Sequence, residues 1–125
     1  MHPSPKMQHI IEQLAQQHGV DLYADGASFR LEMPGFDRLC VENIGSGRIS
    51  VAHYFEQHGD LVADPEVVFY HCPEGWMAVE ITQVLTGWCA VGTDVRAQAD
   101  VASFGDWWAQ NLIDQGWLTD GTRTR

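Results

Sequence analysis

The sequence predicts one α+β domain, in which a meandering antiparallel sheet of about five strands is flanked by an N-terminal and a C-terminal helix. Apolar residues recur at helical spacing near both ends of the chain. Between these ends, turn residues divide the chain into short β-rich runs. The chain has 125 residues, of which 45% are hydrophobic, and it shows no internal repeat or linker. Residues 1–125 are therefore assigned to a single domain.

The first helix is expected to begin at the Ser4-Pro5 pair, because serine suits the N-cap and proline suits the first helical position. Gly19 supplies the stop signal. The apolar stripe of this helix consists of Met7, Ile10, Ile11 and Leu14. A stripe on one side, with glutamines on the other, predicts a helix that packs on the sheet.

The expected strands are FRLEM, RLCVENI, RISVAHYFEQ, EVVFYHC and WMAVEITQV, with GWCAV as a candidate for a short last strand. Alternation in RISVAHYF predicts that one set of side chains faces the core, namely Ile49, Val51, His53 and Phe55. The segment HGDLVADP is interpreted as a loop between two strands.

The segment ADVASFGDWWAQNLIDQGW predicts the C-terminal helix, with Gly116 in the left-handed position after it. One face of this helix is expected to carry Phe104, Trp107 or Trp108, and Leu112. We expect the tryptophans of this region, Trp107, Trp108 and Trp117, to belong to the core. The polar residues 119–125 are expected to form a frayed end.

The chain is strongly acidic, with 17 Asp and Glu against 7 Lys and Arg and a net charge of -10. This charge repels a nucleic acid backbone and argues against direct DNA or RNA binding. Residues 49–95 contain no Lys or Arg, and their acidic residues are Glu56, Asp60, Asp64, Glu66, Glu74, Glu80 and Asp94. Such a stretch is either a solvated face that maintains solubility or a surface that attracts a basic partner.

The sequence also indicates a cytoplasmic protein. No apolar segment approaches the roughly 20 residues needed to cross a membrane, and the first residues lack the apolar core of a signal peptide. Cys40, Cys72 and Cys89 are odd in number and lack a Cys-x-x-Cys spacing. We therefore expect no disulfide, no structural metal and no cofactor.

The segment AHYFEQHGDLVADPE concentrates the polar side chains that can do chemistry. Three interpretations remain open for it. As a hairpin connection, it would place Gly59 at positive φ, with Asp60 and Asp64 accepting backbone N–H bonds. As an enzyme site, it would bring His53 and carboxylates together around a metal or as an acid/base pair. As an interface, it would combine acidic residues with exposed aromatic ones.

This segment resembles an uncharacterised bacterial family that carries the motif H-Y-[YF]-E-Q-N-G-D-L-M-x-D-P-E. The likeness is strong over residues 50–69, and His58 and Val62 depart from the usual Asn and Met. The resemblance implies an accessory protein of plasmids, phages or integrative elements. It also implies that His58 is not an essential catalytic base.

The leading hypothesis is a non-enzymatic protein that binds a basic, nucleic-acid-handling protein. Its binding residues are predicted to be His53, Tyr54, Glu56, Asp60, Asp64, Glu66, Glu74 and Trp76. The exposed aromatic residues are expected to be Tyr54, Tyr70, Trp76 and Trp88.

A second hypothesis is a small metal-dependent or acid/base hydrolase centred on His53, Glu56 and Asp60. A third is a purely structural module. The sequence leaves the oligomeric state open, and a homodimer is compatible with it.

Overall fold

The computed structural model describes residues 3–85, 87–92 and 95–124. The helices of this part are α1 Pro5–Gln17, α2 Val95–Gln115 and α3 Trp117–Asp120. Its strands are β1 Ser28–Glu32, β2 Arg38–Gly45, β3 Arg48–Gln57, β4 Asp60–Cys72, β5 Gly75–Gln83, β6 Gly87–Ala90 and β7 Thr122–Thr124. All neighbouring strands are antiparallel, in the order β6-β5-β4-β3-β2-β1-β7.

The α+β architecture and the meandering sheet agree with the sequence prediction, but the described residues form a sheet of seven strands rather than about five. GWCA forms the short strand β6. The segment HGDLVADP is not a loop: only residues 58–59 turn, and β4 begins at Asp60. The early start of β4 is explained by a two-residue hairpin turn, which lets pairing resume at once between Gln57 and Asp60.

Residues 122–124 were expected to fray, whereas they form β7 beside β1. Trp117 is fully buried just before this strand and anchors the chain against the core. The outer edge of β1 then offers unpaired backbone groups that β7 satisfies. Local composition does not reveal this pairing, because its partner lies about 90 residues earlier in the chain.

One face of the sheet, which we call the helix face, carries the core. The apolar residues that alternate along the strands on this face include Leu31, Val41, Ile49, Val51, Val67 and Phe69. The predicted stripe of α1 is buried with them, which confirms its amphipathic assignment. The opposite face, which we call the open face, carries the intervening side chains such as Arg30, Cys40 and Glu66.

The helix ends match the prediction in part. Gly116 has φ 93, the left-handed conformation expected after α2. Ser4 precedes α1, but its hydroxyl makes no capping hydrogen bond and has no partner among the described residues. Its backbone N–H instead donates to the Trp76 carbonyl at 2.9 Å, so this residue ties the start of α1 to β5.

Candidate functional site

The β3–β4 hairpin contains the motif segment, and its geometry follows from the turn. His58 and Gly59 have φ values of 53 and 84. Positive φ at both central residues is typical of the tight turns that match the twist of a hairpin. The expected positive φ at Gly59 is therefore confirmed.

A β-bulge interrupts the hairpin at the other end of the motif. Ala52 pairs with Glu66 and Tyr54 pairs with Ala63, so His53 on β3 faces the two residues Asp64 and Pro65 on β4. Proline is tolerated at a bulge because a regular ladder would need its missing N–H. The Asp-Pro pair of the motif thus builds the bulge opposite His53.

The hairpin and the β1–β2 turn lie at the same end of the sheet and enclose a cleft of about 590 Å³, which we call the hairpin cleft. Its apolar lining includes Met33, Phe36, Phe55 and Leu61. Phe36 is 43% exposed and Leu61 is 65% exposed. The cleft therefore presents apolar surface to solvent at the end of the sheet.

Three carboxylates surround this apolar lining, from Glu32, Asp37 and Glu56. Arg38 forms an ion pair with Glu32 at 2.8 Å. Within the described part of the chain, Asp37 and Glu56 have no ion-pair partner. The hairpin cleft therefore has a negative rim around an apolar floor.

A second cavity of about 300 Å³ continues from the cleft onto the open face through Arg38, Tyr54 and Leu61. Burial raises the pKa of the Cys40 thiol, against the opposing effect of Arg30 and Arg38. Burial, and then the charge of Glu66, raises the pKa of Tyr54. Both shifts favour the neutral form of the group.

His53 points to the helix face, where its ring lies near two tryptophans. The ring centroids are 5.5 Å from Trp108 and 5.8 Å from Trp117. Its Nδ1 lies 3.1 Å from the Asp37 carbonyl oxygen, which can only accept, so the bond requires Nδ1–H as donor. Burial lowers the pKa of His53, although the neighbouring Asp37 opposes this effect.

Two further cavities of about 320 and 270 Å³ adjoin His53, and both include Asp64 and Gln115. We call them together the helix-side groove. The Oδ1 of Asp64 accepts the backbone N–H of Val84 at 3.2 Å, so this carboxylate ties the bulge to the β5–β6 turn. Asp64 thus bonds a backbone amide, as the hairpin interpretation predicts.

The structure divides the predicted site residues among several places. Tyr54 and Glu56 line the hairpin cleft, whereas His53 and Asp64 line the helix-side groove. Glu66 lies on the open face and accepts the Ser50 hydroxyl at 2.6 Å. The remaining predicted residues, Asp60, Glu74 and Trp76, line none of these cavities.

The assignment of Trp76 to an exposed binding surface is wrong, because this side chain is fully buried. Its ring packs against Phe69 at 5.4 Å, and its Nε1 donates to the Tyr23 hydroxyl at 3.3 Å. Trp76 is therefore a core residue. Tyr70 and Trp88 are exposed as predicted.

Glu74 lies in the β4–β5 turn, at the end of the sheet opposite the hairpin. Asp60 is exposed at the hairpin turn, and its side chain has no hydrogen-bond partner among the described residues. Glu80 forms an ion pair with Arg48 at 3.0 Å. Asp94 lies outside the described residues. The acidic residues of the stretch 49–95 that are described thus do not form one surface.

The side chains of the hydrolase hypothesis do not meet in one of the described cavities, because His53 and Glu56 line different cavities. Among the described residues, no group of three His, Cys, Asp or Glu side chains is placed to hold a metal ion. No helix in the described ranges is long and apolar enough to cross a membrane.

The residues of the β1–β2 turn were not predicted as part of a site. Met33, Phe36 and Asp37 contribute to the hairpin cleft, yet they lie about 20 residues before the motif. Local sequence indicates only a turn at PGFD, residues 34–37. Their position could have been inferred from topology, because alternate turns of an antiparallel meander lie at the same end of the sheet.

Comparison with known proteins gives one assignment. No curated protein and no solved structure matches this chain significantly. A match to the family described as "Domain of unknown function (DUF6908)" extends over residues 6–118 and so includes both helix-forming ends and the hairpin. The chain therefore belongs to this family.

Proposed function

We propose that this protein is a non-enzymatic binding protein, and that the hairpin cleft receives a segment of another protein. In this proposal, a basic side chain of the partner lies against Asp37 and Glu56. Apolar side chains of the same segment pack on Phe36 and Leu61. The supporting observation is the cleft itself, which combines exposed apolar residues with carboxylates that have no ion-pair partner among the described residues.

The dimensions of the cleft suit a peptide segment. Its volume of about 590 Å³ lies within the range of roughly 300–1,000 Å³ typical of ligand pockets. An aromatic centre inside a polar rim is the usual composition of a protein interface. The exposed carboxylates contribute chiefly to association rate and selectivity, because water and salt screen their attraction.

The choice of a basic, nucleic-acid-handling partner is supported by the net charge of -10. The mobile-element context is supported by the resemblance of the motif segment. A hydrolase is less well supported, because His53 and Glu56 do not share a described cavity. The proposal accordingly assigns no reaction to the hairpin.

A photo-crosslinking experiment tests the location of the site. A benzoylphenylalanine at Leu61 should capture a partner in the native host, and mass spectrometry should identify it. The matched control places the same group at Ile44, which is also an exposed aliphatic residue but belongs to the opposite end of β2. Capture of the same protein in equal yield from both positions would contradict a site in the cleft.

Charge reversal tests the chemistry of the site with the identified partner. Glu56→Lys and Glu74→Lys change the net charge equally, but only Glu56 lines the cleft. We expect Glu56→Lys to weaken binding by about tenfold or more and Glu74→Lys to have little effect. Equal effects would indicate a general charge attraction without a defined site.

Salt provides an independent readout. Between about 0.05 and 0.5 M salt the Debye length falls from about 14 to 4 Å, so association with a basic partner should slow markedly. Binding that ignores both salt and the reversal at Glu56 would refute electrostatic recognition by the cleft.

A further inference from the structure

We propose that two copies of this chain associate through the outer edge of β6, which has no strand partner among the described residues, and that this pairing extends the sheet across a two-fold axis. This inference concerns a surface separate from the hairpin cleft, since β6 is the outermost strand beyond β5.

The β6 edge lacks the features that normally prevent strands from pairing between molecules. Natural edge strands are commonly protected by charged residues or by proline. Residues 81–92 contain neither a charged residue nor a proline. All four residues of β6 are exposed, and Trp88 is 64% exposed. The other outer strand, β7, carries Arg123.

The lack of charge in this segment makes it suitable for contact between two acidic copies. Each chain has a net charge of -10, so two copies repel one another over most approaches. The segment 81–92 contains no charged residue and so adds no like charge to such a contact. Leu85, which is 97% exposed in the turn before β6, adds apolar surface beside the edge.

The directions in which the backbone N–H and C=O groups of β6 point determine the register of the proposed pairing between two copies. The Val91 N–H donates to the Val79 carbonyl at 2.9 Å, and Cys89 pairs with Ile81. Backbone groups alternate in direction along a strand, so those of Cys89 also face β5. The N–H and C=O groups of Trp88 and Ala90 consequently point away from β5, toward the free edge.

A symmetric antiparallel pairing can use all of these groups. Trp88 of each copy would then exchange two hydrogen bonds with Ala90 of the other copy. Their side chains lie on the open face, so the large indole would lie beside a small methyl group. The two Cys89 residues would meet on the two-fold axis as a non-hydrogen-bonded pair, with Cα atoms about 4.5 Å apart. That distance lies within the range that a disulfide spans, roughly 4.4–6.8 Å.

The expected dimer is weak. The strand has only four residues, and the large exposed apolar side chains at this edge are Trp88 and the neighbouring Leu85. The contact therefore offers less area than the roughly 800 Å² per partner of a standard stable interface. Added salt should strengthen the dimer, because it screens the repulsion between two acidic chains. Salt should weaken binding of a basic partner in the cleft, so the two proposals have opposite salt signatures.

Cysteine crosslinking tests the register. In a Cys40→Ser, Cys72→Ser background, diamide would oxidise two Cys89 thiols to a disulfide and would itself take up their two electrons and two protons. The control in the same background combines Cys89→Ser with Ala90→Cys, which moves the thiol one position out of register. We expect the Cys89 dimer to form about tenfold faster or more than the control dimer. Equal rates would indicate random collision and would overturn the proposed register.

Sedimentation velocity tests the edge itself. Ala90→Pro removes an N–H that faces away from β5, so the fold should tolerate it while the dimer dissociation constant rises about thirtyfold. Trp88→Lys, which places a charge on the edge, provides a second variant if the proline perturbs the fold. Wild-type protein that remains monomeric at millimolar concentration in high salt would overturn the proposal, as would a dimer that both variants preserve. Glu56→Lys should leave the dimer intact, so failure of this proposal would not affect the cleft.

Discussion

Two adjacent tryptophans of α2 provide a sharp test of how this helix packs. Trp108 is 4% exposed, whereas Trp107 is 61% exposed. The Trp108 ring lies 6.1 Å from Phe104 and 5.5 Å from His53, between the helix and the hairpin. Truncation of each residue to alanine is the same chemical change in two opposite environments. The pair therefore isolates the effect of burial.

The magnitude can be worked out from these environments. Truncation of a buried tryptophan costs about 3–5 kcal/mol, from lost burial and from the cavity left behind. The Nε1 of Trp108 is buried without a hydrogen-bond partner among the described residues. An unpaired buried donor costs about 1–3 kcal/mol, and its removal offsets part of the loss. We expect Trp108→Ala to lower the free energy of unfolding by about 3 kcal/mol, and Trp107→Ala to change it by less than about 0.5 kcal/mol.

Urea denaturation followed by far-UV circular dichroism measures this difference, because backbone ellipticity does not depend on which tryptophan was removed. A third variant, Trp108→Phe, keeps an aromatic ring and removes the unpaired N–H, so its cost should fall well below that of Trp108→Ala. Equal losses at the two positions would refute the assigned packing face of α2. A larger loss at Trp107 would refute it more strongly.

Three further predictions concern the hairpin. Asp64→Ala should lower the free energy of unfolding by about 1 kcal/mol, because the Val84 N–H loses its acceptor. The control Asp60→Ala should leave the free energy of unfolding nearly unchanged. Equal denaturation midpoints for the two variants would contradict the role of Asp64. The pKa of His53 is lowered in the folded state, so the unfolded state binds its proton more readily, and stability should fall as pH decreases below about 6.5 through the folded pKa. His53→Phe should reduce the difference in unfolding free energy between about pH 7.5 and 5.0, and an unchanged difference would exclude this origin of the pH dependence. Chelator should leave the melting temperature unchanged, since no structural metal is expected; stoichiometric zinc or manganese that survives dialysis would instead favour the hydrolase hypothesis.

Periodicity was sufficient to predict α1 and most of the sheet. The stripe from Met7 to Leu14 is buried as expected, and alternation in β3 places Ile49 and Val51 in the core. Both patterns depend on near neighbours in sequence. β7 could not be found in this way, because three polar residues become a strand only through pairing with β1.

The division of the site was harder to predict for a different reason. Neighbouring residues of a strand point to opposite faces, so the closeness of His53 and Tyr54 in sequence suggests one cavity, whereas their side chains line different cavities in the structure. Trp76 was wrongly predicted to be exposed, because a tryptophan in a strand can point to either face of the sheet. Its burial is decided by Phe69 and Tyr23, which come from separate parts of the chain.

The residues that determine the path of the hairpin are different from those that line the cleft. Gly59 permits the turn, and Asp64 with Pro65 forms the bulge, so these residues determine the path of the chain. Part of the apolar floor and part of the acidic rim of the cleft come instead from the β1–β2 turn, outside the motif. A chain with the same hairpin but other side chains at the exposed positions 36 and 37 of this turn should therefore keep the fold and change its partner. Exchange of residues 36–37 between two members of the family tests this separation: the melting temperature should be retained and the binding preference should follow the exchanged residues. If the binding preference instead stays with the hairpin, the partner is recognised by residues of the motif.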